Sequence, residues 1–182
     1  MSFRVPTSLR ELPSFADPRG SSGAMNLVVW PDRDAITFDR WKETADVYVP
    51  IEWWTSAAGE LPLSCARLVV APRRHVSHLI EPLLEVHTES DVFGRRFRVL
   101  TDDPRFASAF LDQRMIGWLL ADRRDGVSLE VGSRWAMASR EGLLGSDQLA
   151  DLVGVVDELR AHAPRVAASL FPPRDPGWDV DL

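Results

Sequence analysis

The sequence predicts an α+β domain: a mostly antiparallel sheet with helices packed on one face and an amphipathic helix near the C-terminal end. Two patterns predict it. Strand-like runs and helix-like runs do not alternate regularly along the chain, which argues against a doubly wound parallel sheet. Leu149, Leu152, Val153, Val156 and Leu159 recur at helical spacing and form one apolar face. The chain has 182 residues and 45% of them are hydrophobic, enough for one packed core.

Residues 1–24 carry Pro6, Pro13, Pro18 and the run Gly20–Gly23, and read as an arm. Residues 25–171 read as the single domain, and residues 172–182 as a flexible acidic tail. Asn26–Trp30 and Ala35–Phe38 flank the turn residues Pro31–Asp34, which predicts a hairpin. Val47–Trp54 alternates as a strand. Ala57–Glu60 reads as a turn, and Leu61–Val70 as the returning strand. Val76, Leu79, Ile80, Leu83 and Leu84 have helical spacing, although Pro82 interrupts it.

Arg96–Leu100 predicts a further strand. Asp103 before Pro104 is an N-cap and first-turn pair, and Asp112 can cap a second short helix that buries Met115, Trp118 and Leu119. Gly132-Ser133 between two apolar runs predicts a two-residue hairpin. Ser146 is the expected cap of the long helix, which Pro164 stops.

The segments Phe93–Val99 (F-x-R-x-F-x-V), Asp103–Ala107 (D-P-R-F-A) and Met115–Leu120 (M-x-x-W-L-L) together resemble an uncharacterised bacterial domain of unknown function. The resemblance covers about residues 62–166. Other members often carry N-terminal membrane helices, and this chain departs from them by showing no such segment. The resemblance implies a fold and a bacterial origin, and no activity.

Composition excludes several functions. The net charge is −6, against bulk contact with nucleic-acid phosphates, so no nucleic-acid partner is expected. No apolar run approaches the ~20 residues of a membrane helix. Residues 1–20 lack the apolar stretch of a signal peptide, so a cytoplasmic location is expected. Cys65 is the only cysteine and sits in a strand-like run, where it reads as a buried thiol. Neither a Gly-x-Ser-x-Gly elbow nor a phosphate-binding Gly-rich loop occurs, and no cofactor is expected.

Two functional readings remain. The first is a non-enzymatic protein-interaction or accessory domain, with another protein as partner. Trp41, Trp54 and Trp178 carry it, because they have no obvious place in the core and tryptophan is a favoured interface anchor. The second is a small-ligand or anion-binding domain, with or without weak enzymatic activity. Arg73, Arg74, Arg95, Arg96 and Arg98 carry that one, because guanidinium groups hold carboxylates and phosphates through two parallel hydrogen bonds. The same arginines could instead pair with the chain's 27 acidic residues. His75, His78 and Glu81 are weak metal-ligand candidates, since Pro82 disturbs their helical spacing; no metal site is expected.

Overall fold

The computed structural model describes residues 22–43, 51–74, 83–121 and 126–173. Ser22–Trp30 (β1) and Ala35–Glu43 (β2) form an antiparallel hairpin across a 3-10 turn at Pro31–Arg33. Pro31 supplies the fixed φ that opens the turn, and Asp34 closes it in the left-handed region with φ of 46°. The sheet therefore begins at Ser22, inside the segment read as an arm.

Ile51–Pro72 (β3) is one strand of 22 residues. The turn expected at Ala57–Glu60 is absent. Those small residues serve packing instead: Ala57 and Ala58 are fully buried, each in a different hydrophobic cluster. Leu84–Val86 (β4) follows, so Leu84 belongs to a strand and not to the helix its spacing suggested. Residues 75–82, the rest of that expected helix, lie outside the described residues.

Asp91–Arg96 (α1) is a short helix capped by Ser90, and it hands over directly to Phe97–Thr101 (β5). Arg95 and Arg96 close α1, and the strand starts one residue later than expected. Asp103 caps Pro104–Phe110 (α2) by accepting from the backbone of Arg105 and Phe106, and Asp112 caps Gln113–Leu119 (α3) by accepting from Met115. Both caps match the sequence reading.

Ser128–Glu141 (β6) runs unbroken through Gly132-Ser133, where a hairpin was expected. Ser133 has φ of 55°, and the pairing register shifts around it. The Gly-Ser pair therefore makes a bulge and not a chain reversal. Ser146–His162 (α4) buries Leu152, Val153, Val156 and Leu159 as expected. Its cap is Gly145 and not Ser146; the Gln148 side chain reaches back to accept from the Gly145 N–H. Arg165–Leu170 (α5) follows Pro164.

β3 is the spine of the sheet. β6 pairs with it from Thr55 to Val70. The other edge is shared, first by β2 at Ile51–Gly59 and then by β5 at Leu68–Pro72, with β4 outside β5. The strand neighbours are all antiparallel.

The helices lie on one face of this sheet. Leu63, Leu68, Phe93, Phe106, Met115, Leu152 and Leu159 form a single core there. Arg160 of α4 locks that face to the hairpin: its guanidinium donates to the carbonyls of Glu60, Arg33 and Asp34. Gly59 makes room for it, since a Cβ there would lie 2.0 Å from Arg160 Nη2.

The opposite face is concave. Arg40 Nη2 donates to Ser139 Oγ at 3.0 Å and lies 3.8 Å from Glu130 Oε1. In a straight strand, residues 130 and 139 would stand about 30 Å apart. One nitrogen can reach both only because β6 and β3 bend at their register shifts and fold the face inward. Arg40 also donates from Nε to Ser56 Oγ at 2.9 Å. Burial lowers the Arg40 pKa, and the charge of Glu130 opposes that.

Replacing Arg40 by Met removes the guanidinium from beside a carboxylate that is nearly waterless. The expected cost is about 3–5 kcal/mol in urea unfolding. The double change Arg40→Met with Glu130→Leu should recover most of it. Additive losses in the double variant would show that the two groups are not coupled.

Candidate functional site

The end of β3, β4 with the segment that follows it, α1 and β5 enclose a cleft of about 400 Å³. Local sequence builds its walls. Ser90 caps α1, Phe93 is fully buried and stacks on Phe97 at 5.0 Å, and this pair fixes the corner between α1 and β5. The cross-strand register then sets Ala71 opposite Arg98 and Glu85 opposite Leu100. Arg98 and Glu85 consequently project from the same side of neighbouring strands.

Three arginines line the cleft: Arg73, Arg95 and Arg98. Arg73 Nε donates to the Gly94 carbonyl at 2.6 Å, which ties the end of β3 to α1. Arg98 Nη2 donates to Glu85 Oε2 at 2.8 Å, and Arg73 Nη2 stands 4.0 Å from Glu85 Oε1. Arg95 is exposed and makes no hydrogen bond or ion pair among the described residues. Glu85 and Asp91 are the acids of the lining, and His87 is its histidine. The hydrogen bond from Arg98, helped by the charges of Arg98, Arg73 and His87, holds the Glu85 carboxyl below its ordinary pKa, against a smaller effect of desolvation.

The five arginines singled out in the sequence therefore separate. Arg73, Arg95 and Arg98 converge. Arg96 turns away, donates to the Leu120 carbonyl at 2.7 Å and lies over the Phe97 ring. Arg74 points toward Gly126. Glu85, Thr88 and Ser90 also line the cleft, and their places there depend on the β4–β5 register and on the cap of α1, which no local pattern shows.

Trp41 and Trp54 are half-buried on β2 and β3. Trp53 and Trp54 project to opposite faces, as adjacent strand residues must. Trp178, His75, His78 and Glu81 lie outside the described residues. Among the described residues, no group of His, Cys, Asp and Glu is arranged to hold a metal ion. Among them too, no helix is long and apolar enough to cross a membrane.

A broader groove of about 1100 Å³ adjoins the cleft and shares Val86, His87, Thr88 and Ser90 with it. Ala107, Leu111, Ile116 and Leu120 give it apolar walls.

No family model matches the chain, and no curated protein does. Among solved structures, it is similar to the crystal structure of the mycobacterial trehalose monomycolate transport factor A, TtfA. The TM-score is 0.54 at 14% identity, over 80% of this chain and 76% of that one. At that identity the likeness is one of fold. The molecule is an α+β domain with a curled antiparallel sheet and a cationic cleft at its β4–β5 edge.

Cys65 stands apart from the cleft, buried in the helix-side core. Desolvation pushes its thiol up to about 12. At about pH 8 the thiolate is then scarce, and iodoacetamide should leave the native protein unmodified while labelling it in denaturant. Labelling of the folded protein at the denatured rate would contradict this burial.

Proposed function

We propose that this protein is a non-enzymatic accessory domain that acts by binding, and that the Arg73–Arg95–Arg98 cleft is its recognition site for an anionic group on a partner protein. The observation that carries the reading is the convergence of three guanidinium groups on one cavity, with one of them, Arg95, exposed and uncommitted. A fixed guanidinium presents paired donors that match the oxygens of a carboxylate or phosphate.

The tryptophan reading has less support. Trp41 and Trp54 are half-buried, and tryptophans that anchor an interface need an accessible ring. The fold likeness to a transport factor agrees with an accessory role. A cytoplasmic, bacterial setting and membership of the domain family that the Phe93–Val99, Asp103–Ala107 and Met115–Leu120 motifs resemble are parts of the same proposal.

NMR titration with acetate and with inorganic phosphate tests it. Saturable amide shifts should map to residues 85–98. Arg95→Ala with Arg98→Gln should weaken binding tenfold or more, since each charge-assisted hydrogen bond contributes about 1.5–3 kcal/mol. Shifts spread over the whole surface, or unchanged binding in the double variant, would contradict the assignment.

A further inference from the structure

Glu85 already occupies part of the cleft in the way a bound anion would. Its carboxylate meets Arg98 through one oxygen and faces Arg73 with the other. The match is incomplete. Arg98 uses only Nη2 toward Glu85, and its Nε is buried with no hydrogen-bond partner among the described residues. Thr88 Oγ1 is likewise buried without a partner, and Thr88 lines the same cleft. Buried polar atoms are nearly always satisfied, because an unmade bond forfeits the full cost of desolvation. Two unsatisfied donors in one cavity therefore mark a place where an acceptor is missing.

Glu85 is also easy to displace. It lies on β4, a strand of three residues at the sheet edge, and its flanking Leu84 is 60% exposed. Short edge strands open at little cost. Its pairing with Arg98 and Arg73 is half-exposed, and such ion pairs contribute little to stability.

Building on the reading of the cleft as an anion site, we infer that Glu85 is a built-in stand-in for the ligand, and that the ligand is a carboxylate, from an acidic side chain or a chain terminus of the partner. The incoming group displaces Glu85 from Arg98 and accepts from both Nε and Nη2, the two-bond arrangement that Glu85 does not achieve. Thr88 supplies a further donor. Glu85 thus sets the threshold for binding: it keeps Arg98 and Arg73 paired when no partner is present, and an incoming anion binds more weakly for having to displace it.

The test compares wild type, Glu85→Gln and Glu85→Gln with Arg98→Lys, using acetate and inorganic phosphate as probes. Circular dichroism and thermal unfolding confirm that each variant is folded. Glu85→Gln keeps the shape of the side chain and removes the competing charge, and should bind acetate at least tenfold more tightly than wild type, with acetate preferred to phosphate. Adding Arg98→Lys keeps the positive charge, removes the paired donors and should abolish the gain. Wild-type binding through Arg95 and Arg98 with no gain in Glu85→Gln would overturn the role of Glu85 and leave the cleft assignment standing. A gain for phosphate over acetate would overturn the carboxylate assignment. Absence of saturable binding in all three proteins would overturn both the inference and the reading it rests on.

Discussion

The fold depends on a sharp bend in the β3–β6 pair, and the contact that holds the bend is Arg40 against Ser139 and Glu130. A flat sheet of this length would expose a whole face. Bending at the bulges turns that face inward, and Phe38, Met137, Val69 and Ala71 are buried. The cost is a charged group placed in an apolar interior, and the serine hydroxyls and Glu130 offset it by supplying acceptors. The helices are then free to form one continuous core on the outer face.

Strand order creates the cleft. Because β2 takes the first part of one β3 edge, β5 can pair only at the far end, at Leu68–Pro72. That pairing brings Arg98 beside the chain leaving β3, where Arg73 sits. β4 adds Glu85 from outside, and α1 closes the wall with Arg95. Strand order thus brings Arg73 to Arg95 and Arg98, which the corner between α1 and β5 already holds together.

What could be read beforehand was local. Asp103, Asp112 and the apolar stripe of α4 act within a few residues of themselves, and each was legible. The hairpin across Pro31–Arg33 was legible for the same reason. Ala57–Glu60 and Gly132-Ser133 mislead because small residues have two uses. In a turn they relieve backbone strain; here they admit Arg160 and make a bulge, and only the tertiary partners distinguish the cases. Leu83 and Leu84 misled by spacing alone, since a short apolar run fits either period. In the site, the arginines were visible as residue types. Sorting Arg73, Arg95 and Arg98 from Arg74 and Arg96 required the end of α1, and finding Glu85 required the β4 register.

On this proposal the cleft holds an unfilled carboxylate position at Arg98. Nitrogen-15 NMR of the arginine side chains reads it at the atom concerned. Among the described residues the Nε–H of Arg98 has no acceptor, whereas that of Arg67 is already bound to Asp102 at 2.8 Å. On adding acetate, the Arg98 Nε–H signal should move downfield and become protected from exchange while the Arg67 signal stays in place. A signal from Arg98 that does not respond, or equal movement of both, would contradict it.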